Sequence, residues 1–138
     1  MTRITRVKNR ILRWGPATLC MGAIFYLSSQ PTLPEVPGLA NLYLGDKIEH
    51  GIAYSVLGAS IWRALSRKNP GWWQVLATVI ISAAYGFTDE SHQLYVPGRT
   101  FDMLDLTADA VGSAIAAIAL TTTYYRRKSN CQTNKIRK

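Results

Sequence analysis

The chain has 138 residues, of which 48% are hydrophobic, and its 16 Lys and Arg against 8 Asp and Glu give a net charge of +8. That length bounds it to one domain. The basic residues sit in clusters instead of along one face, which argues against nucleic acid as partner, and Cys20 in an apolar run and Cys131 in a basic tail imply no disulfide framework.

Residues 1–13 carry Arg3, Arg6, Lys8, Arg10 and Arg13, and Trp14 to Ser29 is nearly all apolar or small. A basic segment before an apolar run also describes a cleaved signal peptide, with Ser28 and Ser29 near a cleavage point. The membrane character of the later segments favours a retained first span. From Gln30 to Gly45 the chain is rich in Pro and Gly and reads as an exposed loop, with a short surface helix around Leu39 to Leu44.

Asp46 opens a second predicted helix that runs to Leu65, and Asp46 with Glu49 has the spacing of a capping box. Arg63, Arg67, Lys68, Asn69, Pro70 and Gly71 form a basic turn. The third helix is expected over Trp72 to Gln93. Its uncharged part, Trp72 to Thr88, would rise about 25 Å, close to a hydrocarbon core of about 30 Å. Pro97 and Gly98 stand where a type II turn prefers them. Thr100 is the expected N-cap of a fourth helix over Phe101 to Tyr125, followed by a basic tail.

The charges sort by alternate loops. With four spans and a cytoplasmic N-terminus, every Lys and Arg except Lys47 and Arg99 falls on the cytoplasmic side, while all 8 acids and both histidines fall outside. Trp14, Trp62, Trp72, Trp73, Tyr124 and Tyr125 then form an aromatic belt at the inner interface. The expected fold is therefore an all-α integral membrane bundle of four transmembrane helices with both termini cytoplasmic. Residues 1–13 and 126–138 would be basic cytoplasmic ends, and 14–125 the membrane domain. A soluble helical bundle is the alternative, but it gives no reason for that sorting.

The polar residues gather near the outer end. Asp46, His50 and Tyr54 repeat at four-residue spacing on the second helix, with Glu49 beside them. Asp46 and Glu49 can equally be caps that complement the helix dipole, whereas His50 lies a turn deeper. Asp89, Glu90, His92 and Gln93 end the third helix at its C-terminus, where acids meet an unfavourable dipole, or else begin a solvated loop. On the fourth helix Asp102, Asp105 and Asp109 share a face that continues into Gly112 and Ala116, and Gly112, Ser113 and Ala116 suit close packing. Asp109 is about 12 Å along that helix, too deep to be a cap, so it must face the interior and be paired or protonated. Arg99 is the expected counter-charge, able to pair with a carboxylate or a phosphate, or to form an ordinary surface ion pair.

The blocks DKIEHGIAYSVLG (46–58), FTDESHQLYVPGRTFDMLDL (87–106) and ADAVG (108–112), with FYLSSQP (25–31), resemble the VanZ-like family of small bacterial membrane proteins. The resemblance implies a site at Asp46, Lys47, His50, Tyr54, Asp89, Glu90, Gln93, Arg99 and Asp105. Asp109 departs from the family pattern, which has Asn there in many members. It also implies a multi-pass protein of the bacterial cytoplasmic membrane, in a family named for a teicoplanin-resistance protein.

Three functions are open to these residues. An outward-facing membrane enzyme would use His50, Asp89, Glu90 and Asp105 for acid/base work on a lipid-linked or cell-envelope substrate. Asp46, Lys47, Tyr54, Gln93, Arg99 and Asp109 would bind that substrate. A non-catalytic protein would bind or move such a component, and a structural ion network would only fix helix register. His50, His92 and the acids can supply metal ligands from different helices, but the HxxxH and HExxH spacings are absent, so no metal is expected. No cofactor is expected either, because there is no Gly-rich phosphate loop, Ser nucleophile motif or CxxC. Membrane lipids are the expected partners, the basic tail meeting anionic headgroups.

Overall fold

A computed structural model describes residues 3–31, 45–65 and 69–136, which form four helices and, among these residues, no strand. They are α1 (Arg3–Ser28), α2 (Gly45–Leu65), α3 (Trp72–Gln93) and α4 (Met103–Ile136). The surface helix expected around Leu39 to Leu44, and Arg67 and Lys68 of the basic turn, lie outside the described residues.

α2 and α4 make the main interface, α3 packs on α4 and α2, and α1 lies against α2 with only light contact to α3. Small residues let α2 and α4 approach. A Cβ on Gly112 would run into the backbone of Gly51, and one on Gly58 would come within 2.7 Å of Ser113 Cα. Ser55 Oγ donates across this seam to the Gly112 carbonyl at 3.0 Å. The buried stripe of α4 is Asp105, Asp109, Gly112, Ser113 and Ala117, so Ala117 and not Ala116 continues the face. On the other side of α2, Tyr54, Leu57 and Ile61 form a core with Ala17, against which Cys20, Met21 and Ile24 of α1 pack.

α3 is inverted relative to a water-soluble helix. Its buried residues are Gln74, Thr78, Ser82, Gly86, Asp89, Glu90 and Gln93, while Trp72, Trp73, Ile80 and Phe87 are exposed. Exposed Ile52 and Val56 on α2, and Val111, Ile115 and Ile118 on α4, continue this apolar exterior. By length and composition one helix among the described residues is apolar enough to cross a membrane, over Met103–Thr133.

Several boundaries differ from expectation. α4 starts at Met103 because the Asp102 carboxylate, not the Thr100 hydroxyl, caps it, accepting the Leu104 N–H at 2.8 Å. It continues past Tyr125 to Ile136, so its 34 residues rise about 51 Å and outreach a hydrocarbon core of about 30 Å. The basic segment ahead of Trp14 is likewise helical from Arg3, and α1 passes through Pro16. The Asp46 and Glu49 capping box does not form. Asp46 instead accepts from the backbone N–H of Lys47 at 2.9 Å and from its Nζ. Trp62 does not join the aromatic belt expected at the inner interface: it is buried, and its Nε1 donates to Thr121 Oγ1 at 2.9 Å. The turn at Pro97 matches the expectation, with Gly98 at φ 81° and Arg99 N–H bonded to the Val96 carbonyl.

Candidate functional site

The polar residues of α2, α3 and α4 meet at the end of the bundle where α2 and α4 begin and α3 finishes. Lys47, in the first turn of α2, places Nζ 2.8 Å from Asp46, 2.5 Å from Asp102 and 2.8 Å from Asp105. Asp102 is thus both the cap of α4 and a partner of Lys47. It stands ahead of α4, and the hydrogen bond from Lys47 holds its carboxyl below the ordinary carboxylate range.

One turn deeper, His50 Nδ1 lies 3.0 Å from Asp109 Oδ1, and the Asp109 side chain is 1% exposed. The second oxygen of Asp109 has no hydrogen-bond partner among the described residues and packs where a Cβ on Gly86 would be, 2.6 Å from it. The Tyr54 hydroxyl, buried a turn beyond His50, likewise has no partner among them.

The end of α3 is fastened from both sides. Glu90 is fully buried, with one oxygen accepting from Gln93 Nε2 at 2.9 Å and the other from the Asp102 N–H at 3.0 Å. Asp89 accepts from Ser28 Oγ of α1 at 2.6 Å. His92 stacks on Phe25, ring centroids 4.5 Å apart, and meets Ser29 Oγ at 3.1 Å. These acids therefore end a helix inside the bundle and are not a solvated loop.

Arg99 departs from its expected role. Among the described residues no carboxylate lies within ion-pair distance of its guanidinium, and its Nε donates to the Gln30 carbonyl at 3.4 Å. Lys47 is the counter-charge instead, because the first turn of α2 abuts the first turn of α4. Arg99 lines a cavity of about 130 Å³ together with Glu49, His50, Tyr54, Asp89 and Gln93. Ile24, Leu27, Ser28 and Ala53 complete its wall, so the lining mixes apolar and polar residues. Two larger hollows, one by Trp72 and Thr121 and one by Leu65 and Gln74, have no titratable lining residue.

Residues 14–124 match the family model described as VanZ/LLP1. The chain belongs to the VanZ/LLP1 family. The match takes in α2 and α3, the greater part of α1 and α4, and every residue of the cluster, so the resemblance carried by the three polar blocks holds for this VanZ/LLP1 protein. Searches of curated proteins and of solved structures returned no match.

The fold brings together nearly all the site residues expected from the VanZ/LLP1 pattern. Asp46, Lys47 and Asp105 share one ion network, His50 and Asp109 a bond, Glu90 and Gln93 another. Tyr54, Asp89 and Arg99 face the cavity. Ser28 and Gly86 were not expected: Ser28 binds Asp89, and Gly86 makes room for Asp109. The position of Ser28 in FYLSSQP was a signal for the first, and nothing in the sequence marked the second.

Proposed function

We propose that this VanZ/LLP1 protein is a four-span integral membrane protein with cytoplasmic termini, whose outer-end cavity binds the phosphate-bearing headgroup of an anionic or lipid-linked envelope component. The positive-inside sorting supports the topology, and so does the inverted bundle, with acids and amides inside and Ile, Val, Phe and Trp outside. The observation that carries the binding reading is the mixed lining of the cavity. Ile24 and Leu27 offer apolar surface to an acyl or prenyl chain, and Arg99 in the same lining has a guanidinium free of any carboxylate among the described residues.

His50 and Asp89 line the same space and can exchange protons with a bound ligand, so acid/base chemistry is open to this site. The Lys47 network favours a second reading, in which the ions only hold α2 to α4 in register. Native mass spectrometry of the detergent-purified protein with phosphatidylglycerol and with a polyprenyl phosphate separates the two. Retained lipid adducts on the wild type, lost in Arg99→Gln and His50→Gln while both variants stay folded, support binding. Equal adducts on all three overturn it, and loss of the folded protein in His50→Gln favours the structural reading. A change in teicoplanin susceptibility on expression in a sensitive host, abolished by Arg99→Gln, would connect the cavity to glycopeptide resistance.

A further inference from the structure

A ring nitrogen of His50, a carboxylate oxygen of Glu90 and a carboxylate oxygen of Asp105 lie within 4.8 Å of one another, one from each of α2, α3 and α4. Each of the three is also held by another group. Asp109 takes His50 Nδ1, Gln93 and the Asp102 N–H take the two oxygens of Glu90, and Lys47 Nζ meets Asp105. Outer partners of this kind fix the tautomer and aim of metal ligands, and a carboxylate on one imidazole nitrogen leaves the other for the cation.

The charges also call for a cation. Asp89, Glu90, Asp105 and Asp109 are all buried, and Lys47 is shared with Asp46 and Asp102 as well as Asp105. A divalent ion would neutralise the surplus without leaving an isolated buried charge. One further observation points to a missing ligand. Tyr54, a residue 1% exposed, lines the cavity beside His50, and its hydroxyl has no hydrogen-bond partner among the described residues.

We propose that His50, Glu90 and Asp105 bind one divalent transition-metal cation. One imidazole and two carboxylates suit Zn²⁺ or Mn²⁺ and leave coordination positions for water or a phosphate oxygen. Lys47 remains on Asp105 when the ion binds, since each carboxylate oxygen carries more than one acceptor site. The proposal shares His50 with the cavity of the lipid-binding reading but does not rest on that reading.

The test is metal binding by the chelator-stripped, detergent-purified protein without added lipid, titrated separately with Zn²⁺, Mn²⁺ and Mg²⁺ and followed by calorimetry and elemental analysis. One equivalent of Zn²⁺ or Mn²⁺ is expected, with Mg²⁺ much weaker. Glu90→Gln should weaken it by about 100-fold or more, the upper range for loss of even an outer-sphere partner. His92→Gln removes the other histidine and should leave binding intact. If Glu90→Gln does not fold, Asp105→Asn carries the same expectation. Absence of stoichiometric binding, or equal loss in His92→Gln and Glu90→Gln, overturns the site and leaves protonated carboxyls as the explanation of the surplus charge. Lipid adducts measured in chelator report on the cavity reading separately.

Discussion

His50 Nδ1 and Asp109 Oδ1, 3.0 Å apart, join α2 to α4 across 59 positions of sequence, with the Asp109 side chain buried and the imidazole partly open to the cavity. Replacing Asp109 by Asn or by Leu tests that bond. Asn offers the same oxygen to His50, and its amide group would take the place of the unpartnered Oδ2 beside Gly86. Asp109→Asn should therefore keep the fold close to wild-type stability. Asp109→Leu leaves the imidazole unpaired and should lose about 1–3 kcal/mol. Thermal unfolding in detergent compares them, and equal loss in both would remove the bond from the account.

The glycines on the α2–α4 seam are expected to be intolerant of a single methyl. Gly112→Ala places a Cβ on the Gly51 backbone, which cannot swing aside as a side chain can, and should cost about 1–3 kcal/mol. Gly22→Ala on α1 meets nothing within 4 Å and should be neutral or slightly stabilising. Chemical denaturation of the two variants tests the contrast, which fails if both behave alike.

Lys47→Met removes the one ammonium that serves Asp46, Asp102 and Asp105. At neutral pH the unfolding midpoint should fall by several degrees. The effect has a defined pH dependence because the Asp102 carboxyl is held below its ordinary range in the folded chain. A depressed carboxyl stabilises the fold fully above the unfolded value of about 3.9 and loses that contribution as pH falls through the folded value. The gap between wild type and Lys47→Met should then narrow on acidification below about pH 4. A gap that stays constant or widens there would contradict the pairing.

Ser28→Ala deletes the hydroxyl that meets Asp89 at 2.6 Å and ties α1 to the end of α3. Leaving a buried carboxyl without this donor should cost about 1–3 kcal/mol and loosen α1 first, since α1 meets α3 through few residues, with Phe25 on His92 and Met21 bonded to Tyr85 as other ties. Hydrogen exchange resolved by segment would show faster exchange in α1 than in α2 or α4. Uniform acceleration would mean that the bond does not fasten α1 in particular.

The sequence by itself determined the four helices, their approximate ends and the gathering of polar residues near one end. These follow from local signals: long apolar stretches, Pro-Gly at the turn, and charges confined to alternate loops. It also identified Asp109 as interior, since no helix start lies near enough for an acid there to act as a cap. The partners were decided only by tertiary structure. Arg99 looked like the counter-charge because it is the one guanidinium that the charge sorting leaves on the outer side with the acids, yet Lys47 is nearer in space, brought there by the glycine seam that lets α2 lie against α4. The cap of α4 moved from Thr100 to Asp102 because Glu90 of α3 accepts the Asp102 N–H and Lys47 of α2 grips its carboxylate. Spacing along the chain gave no metal motif, since His50, Glu90 and Asp105 lie on three helices and meet only when those helices pack. Helix periodicity is local and can be read along the chain, whereas which buried charge meets which depends on how closely two backbones approach, and here small residues far from the charges control that distance.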